Sequence, residues 1–484
     1  MLIQKLTALV SHLSLEPIIF LHTFTWALGS VIQQNLIIGK VCHDLGFSED
    51  ICEDINNYDT ENDVVQTQAS QINMYLSILG SLPCSVVALF IGPWSDKNGR
   101  VPVMIIPMIG FILSSLWWLA NVHFMDWPAH YLLVSGVFNI FGGFTVFLIG
   151  AYSFMADVTH PTSRTTRIAI FDIFFFAGVP FGTFLSGCLY KYSGYFGIFG
   201  TILILQVLIV VYIIVFIRDT RGPYSNCQDN ESETNRRTSF RRYLSIMDKN
   251  QLLSVFQVTC KKRENGLRKV ILILVTLMLI NVIIYTDGVL YLYVRKKFKW
   301  DEQIYTKFQT LSIIISGIGV FIAMPILSFH LKLHDALVGF LASCSKMISL
   351  LITSIAWNGL VLFMGSLTGF FFAFSSIVIR SMLSKCVTKA ELGKIFSLLA
   401  SLEALVPMFS APIFTFIYTN SLETWSGAVF LVQSGIFLVS ALGFLSVYLT
   451  LGKSGFSQIH AEHIIDDSKQ SNIVKDEFKT DGKV

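Results

Sequence analysis

The residues best suited to chemistry in this chain are charges set in apolar surroundings. Asp172 stands in Ile168-Ala169-Ile170-Phe171-Asp172-Ile173-Phe174, and Arg380 in Ile377-Val378-Ile379-Arg380-Ser381. An ionised group in hydrocarbon costs at least ~2.5–3.5 kcal/mol, so it persists by pairing or by lining a water-filled path. A carboxyl placed like Asp172 can take up and release a proton; the alternative is a packing carboxyl hydrogen-bonded to a neighbour. An arginine stays charged in such a place. Arg380 therefore needs a carboxylate from the protein or from a bound anion, which its planar fork can grip with two bonds. The alternative is a permanent structural ion pair. Asp287 and Glu403 are further carboxyls in apolar runs. Each could partner Arg380 or face a cavity, and with Asp172 they are the proton-coupling candidates. Tyr285 and Tyr291 are candidate substrate contacts alongside Arg380, with packing as the competing reading. Lys346 reads as a lysine snorkelling toward an interface, and Glu16 and His22 as weaker candidates still.

These charges belong to a chain that water cannot solvate. It is 53% hydrophobic and 14% charged, with a mean hydropathy of +0.62; soluble domains are about 25% charged. Apolar runs of about 20 residues cross a bilayer core. Twelve are predicted, at about 16–37, 71–93, 102–121, 130–156, 167–189, 196–217, 268–293, 305–328, 334–356, 359–383, 394–418 and 426–450. Six precede a long polar segment and six follow it. The expected fold is an all-α integral membrane protein with twelve transmembrane helices in two six-helix halves. Residues 1–217 form the N-terminal half, 218–267 a basic linker, 268–451 the C-terminal half and 452–484 a polar tail. No basic stripe with interleaved aromatics points to nucleic acid. Ser343-Cys344-Ser345-Lys346 fits the S-x-x-K pattern of serine acyl enzymes, but without its companion motifs. No Gly-rich phosphate loop or zinc-peptidase helix occurs, so an enzyme is not expected and no cofactor or metal is called for.

Orientation follows from the loops. Residues 218–269 carry twelve Lys and Arg against six Asp and Glu, whereas 39–70 carry one Lys and eight carboxylates. The basic segment, and with it both termini, is expected in the cytoplasm, and the acidic loop outside or in a lumen. Arg295-Lys296-Lys297-Phe298-Lys299 falls on the acidic-loop side, and proximity to that loop would account for it. Cys42 and Cys52 share the acidic loop, an oxidising location, so they are either a disulfide or two separate thiols. Asn230-Glu231-Ser232 is a glycosylation pattern on the cytoplasmic side, expected to be unmodified. Tyr243-Leu244-Ser245-Ile246 fits a short endosomal sorting pattern.

Gly92-Pro93-Trp94-Ser95-Asp96-Lys97-Asn98-Gly99-Arg100 joins the second and third apolar runs. Its G-x-x-x-D-x-x-G-R pattern resembles the signature loop of the major facilitator superfamily. Three stretches together resemble one branch of it, the solute carriers that include the proton-coupled folate transporter and the thymic stromal cotransporter. They are this loop, Ala156-Asp157-Val158 with Ser163-Arg164-Thr165 and Arg167, and Ile379-Arg380-Ser381-Met382-Leu383-Ser384-Lys385. The resemblance implies a proton-coupled carrier of an organic anion, folate-like, muropeptide-like or a conjugated metabolite, in the plasma membrane or a lysosomal or endosomal membrane. It implies proton coupling at Asp172, substrate and proton handling at Arg380, and gating at Asp96, Arg100 and Asp157; Arg164 closes the same charged turn. One departure is Val282, which stands where the folate-transporting members carry a histidine. The competing class is a non-transporting receptor or scaffold that signals through the central linker.

Overall fold

The computed structural model describes residues 15–53, 55–158, 164–217, 219, 267–283, 287–323, 326–331, 333–387 and 389–451, apart from some side chains within them. The linker with its glycosylation and sorting patterns, the tail, and Tyr285 lie outside the described residues. So do the side chains of Asp96, Arg164 and Asp287.

The described elements are helical and compose twelve spans. In chain order they are α1 (Glu16–Asp44), α2 (Asp59–Asn98), α3 (Val101–His123) and α4, a composite over 129–158 ending in Gly143–Val158. α5 (164–193) and α6 (195–216) are one continuous stretch turned at Gly194, whose φ of 59° favours glycine. α7 has two pieces, Leu267–Val282 and Asp287–Phe298, and α8 runs through Glu302–Ile318 into wider turns at Gly319–Ala323 and Ile326–His330. Next come α9 (Asp335–Ile355), α10 in the pieces Gly359–Thr368 and Phe374–Cys386, α11 (Lys389–Trp425) and α12 (Ala428–Leu451). Among the described residues, seven helical stretches are long and apolar enough to cross a membrane, the one over 170–216 containing both α5 and α6. α1 is a single helix of 29 residues that contains the amides Gln33, Gln34 and Asn35, whereas α7, α8 and α10 reach spanning length only as composites, and broken helices at membrane depth are tolerated where they line a cavity.

Two helices outrun their apolar cores. α2 covers Asp59–Asn98 where 71–93 was expected, and α11 covers Lys389–Trp425 where 394–418 was expected. Hydropathy registers only the part of a helix that meets hydrocarbon. The polar first turns of α2 remain helical, with Asp59 and Glu61 placed to complement its N-terminal dipole. Most of the expected 39–70 loop is therefore helix, and its bend is held by a disulfide between Cys42 and Cys52.

Close packing relies on small residues. On α5, Gly178 and Gly182 form a G-x-x-x-G pair facing α1. A Cβ on Gly178 would sit 2.6 Å from the Phe20 carbonyl oxygen, and one on Gly182 would overlap that of Phe24. Such pairs let membrane helices approach backbone to backbone. Between the halves, α2 packs along α11 and α5 along α8.

The apolar core is divided in an informative way. One end of the bundle carries the acidic loop; the other flanks the linker. At the acidic-loop end a single cluster joins both halves, from Ile32, Leu36 and Val65 to Tyr293, Phe414 and Tyr418. At the linker end each half has its own cluster, one around Met104, Phe154 and Ile213 and the other around Leu274, Met382 and Phe444.

Candidate functional site

The structure brings three of the predicted charges together near the linker end. On α5, Asp172 accepts a hydrogen bond from the Tyr152 hydroxyl of α4 at 2.6 Å. Across the divide, Arg380 of α10 donates through Nη2 to both carboxylate oxygens of Glu403 on α11, at 3.0 and 2.9 Å. Arg380 is close enough to Asp172 and Tyr152 for its charge to act on both. One half thus contributes a hydroxyl–carboxyl pair, and the other an arginine–carboxylate pair. The Arg380 side chain is 52% exposed even while paired, so part of its fork is open to another anion. Tyr152 had no signal in the sequence, because one hydroxyl in an apolar helix is indistinguishable from packing. Tyr291 is not part of this cluster; it is buried at the acidic-loop end.

The loop after α2 is built around one arginine. Gly99 turns the chain at φ 97°, and any Cβ there would strike the Asp219 carboxylate. That carboxylate accepts the Arg100 amide hydrogen at 2.8 Å, an anion at the N-terminus of α3. Arg100 Nε donates to Asp157 Oδ2 at 2.8 Å, and Nη1 donates to Ser95 Oγ at 2.8 Å. The turn is thereby tied to the end of α4 and to the first residues past α6. Arg167, in the turn that follows, pairs with the buried Glu16 of α1 at 3.1 Å. His22 sits among the rings of Phe111, Phe144 and Phe147.

At the acidic-loop end the halves are linked by polar contacts. Arg295 of α7 donates to Asn35 Oδ1 of α1 at 2.7 Å and to the Tyr291 hydroxyl at 3.2 Å. Lys296 pairs with Asp63, Lys299 with Asp59 at 3.8 Å, and the Tyr418 hydroxyl donates to Gln66 Oε1 at 2.8 Å. The basic run of α7 therefore meets the acidic start of α2, as its composition suggested. Beneath these links lies a cavity of about 360 Å³, lined by Gln33, Gln34, Ser70, Asn73, Leu292 and Thr415 among others. The sequence did carry a trace of it: Gln33-Gln34-Asn35 is a run of three amides inside an apolar helix.

The family model for the Major Facilitator Superfamily matches residues 18–350. The chain belongs to that superfamily. It is 26% identical over 443 residues to the lysosomal proton-coupled steroid conjugate and bile acid symporter of Gallus gallus, covering 88% of this chain and 92% of that one. It is 24% identical to a protein of Drosophila melanogaster named a probable peptidoglycan muropeptide transporter, covering 88% and 85%. The crystal structure of the human organic anion transporter MFSD10 superposes with a TM-score of 0.57 at 16% identity, covering 89% and 99%; that likeness concerns the fold. These relatives are transporters, not enzymes. The chain is a secondary membrane transporter, and its sequence is similar to members of the solute-carrier branch that its motifs resemble.

Proposed function

We propose that this protein is a proton-coupled symporter of amphipathic organic anions, working by alternating access. The observation that carries the reading is the Arg380–Glu403 pair facing Tyr152–Asp172 across the divide. An anion entering this space meets an arginine already held by a carboxylate. Protonation of Glu403 weakens that hold and leaves the guanidinium for the anion. Protonation of Asp172 removes a second negative charge from the path. With both carboxyls protonated, the charges of the anion and Arg380 cancel, and a neutral site crosses low-dielectric surroundings at less cost.

The acidic loop faces the lumen or the outside, where the Cys42–Cys52 disulfide is stable. The linker and both termini lie in the cytoplasm. In this conformation the halves are sealed on the acidic-loop side, and Arg100 with Asp157 forms part of the cytoplasmic gate, in which Asp96 and Arg164 also take part. Steroid or bile acid conjugates are the first substrates to test, because the Gallus gallus relative is named for them. The membrane is lysosomal, endosomal or plasma.

The test is uptake of labelled taurocholate by proteoliposomes, with the compartment facing the acidic loop at pH 5.5 or 7.5. We expect acid to stimulate uptake several-fold in the wild type and Asp172→Asn to lose the stimulation while remaining folded. Arg380→Lys should raise the half-saturating concentration about tenfold, because a point charge replaces a fork. Equal uptake at both pH values by the wild type would overturn proton coupling.

A further inference from the structure

A lysine in the middle of α9 faces an internal cavity. Lys346 extends over the ring of Phe372, with Nζ 4.7 Å from the centroid, and among the described residues no carboxylate pairs with it. It does not reach an interface, as its sequence position suggested. It lines a cavity of about 200 Å³ inside the C-terminal half, enclosed by α7, α8, α9, α10 and α12. A lone cation held among helices is costly unless something supplies the opposite charge.

The remaining walls indicate what that something is. Gln433 is 2% exposed and lines the same cavity, and among the described residues its Oε1 meets no donor. Gln309 also lines it, again with an unpartnered Oε1. Buried amide oxygens normally find donors, and each orphan costs about 1–3 kcal/mol. The pocket therefore offers one cation, two vacant acceptors and aromatic walls from Phe372 and Phe430. Its complement is an anionic group with hydroxyl or amide donors beside it, on an apolar frame. Val289 lines both this pocket and the larger cavity under the acidic-loop seal, so the two are neighbours across α7. A volume of about 200 Å³ accepts an end group rather than a whole steroid conjugate.

We propose that this pocket is a second anion subsite, in which Lys346 holds the sulfonate, sulfate or carboxylate terminus of the transported molecule and Gln309 and Gln433 accept from its adjacent hydroxyl or amide groups. The proposal rests on the transport reading above and adds a site to it. It predicts a preference for conjugates over their unconjugated parents that is set in the C-terminal half, apart from the Arg380 pair.

The experiment uses the full-length protein in nanodiscs. N-acetoxysuccinimide acetylates accessible lysines, and mass spectrometry reads Lys346 against the exposed Lys191 as internal reference. Taurocholate should suppress acetylation of Lys346 at least fivefold and leave Lys191 unchanged. In equilibrium binding, Lys346→Met should raise the taurocholate Kd about tenfold or more, the size expected for a lost charge-assisted contact, and Lys346→Arg should retain most of the affinity. Acetylation that taurocholate leaves unchanged overturns the subsite, and so does a Lys346→Met protein with wild-type Kd. Protection by phosphatidylglycerol with none by taurocholate overturns the substrate assignment in favour of a lipid headgroup. Acid-driven uptake in the wild type decides the transport reading separately, so the two can fail independently.

Discussion

Glu403 holds Arg380 through a single guanidinium nitrogen shared between both of its oxygens. That geometry leaves the rest of the fork available, so an incoming anion can displace the carboxylate instead of finding the arginine closed. Exchange of this kind links affinity to pH through Glu403. Glu403→Gln keeps the shape and the hydrogen-bonding oxygen but removes the competing charge. Its taurocholate affinity at pH 7.5 should approach that of the wild type at pH 5.5, with less than a twofold difference between the two pH values. A full wild-type pH effect in this variant would take Glu403 out of the exchange. Lys40 illustrates the opposite, purely structural use of a buried cation. It is fully buried, and its Nζ donates to the carbonyls of Phe124 and Trp127 at 3.0 and 2.9 Å, clamping the α3–α4 connection. Lys40→Met should destabilise the protein by about 1–3 kcal/mol, seen as a lower melting temperature in detergent, without changing the half-saturating substrate concentration.

At the scale of elements, the contact of α5 with α1 fixes where Asp172 points. Gly178 and Gly182 let the two backbones touch, and Ser186 on the same face donates to the Leu28 carbonyl at 2.8 Å. Gly182→Leu would push α5 outward; overpacking of this kind costs about 1–3 kcal/mol or more. We expect a melting temperature several degrees lower and weaker acid stimulation, read in the proteoliposome assay; unchanged values for both would mean that α5 is positioned by other contacts. How much of this was legible follows from the physics of each signal. Hydropathy found all twelve spans because apolar length is a local property. It misplaced the ends of α2 and α11, because a helix can continue into water. It singled out Asp172, Arg380 and Glu403 as candidates, because a charge in an apolar run is conspicuous. It did not reveal that Glu403 was the partner of Arg380, since pairing across helices depends on rotation about each axis. Lys346 was visible but misjudged for the same reason: the sequence placed it on α9 and could not say which face it occupies. Tyr152, Gln309 and Gln433 carried no local sign, because neutral polar side chains are common in membrane helices and gain meaning only from what they face.

For the whole molecule, the division of the core is the most consequential feature. Both halves contribute to one apolar cluster at the acidic-loop end and keep separate clusters at the linker end. Arg295–Asn35, Lys296–Asp63 and Tyr418–Gln66 reinforce the shared end. Alternating access requires this shared cluster to part while a new one forms opposite, so its polar links should be strong enough to select a state and weak enough to release it. The Lys296–Asp63 pair, with 21% and 23% of its side chains exposed, suits that role. The prediction is that fixing this end stops transport without abolishing binding from the linker side. On α11, Thr415 Oγ1 lies 3.5 Å from the Ser70 carbonyl oxygen of α2, which makes these positions a fitting pair for Ser70→Cys with Thr415→Cys. Oxidative cross-linking of the double variant should reduce taurocholate uptake at least tenfold. Reductant should restore it to the level of wild-type protein treated identically, a comparison that absorbs any effect on Cys42–Cys52. Taurocholate binding in detergent should stay within about twofold, because the linker-side approach to Arg380 is untouched. A cross-linked protein that still transports at full rate would show that the acidic-loop end does not open in the cycle, and the divided core would then be a fixed feature of the fold and not one half of a rocking motion.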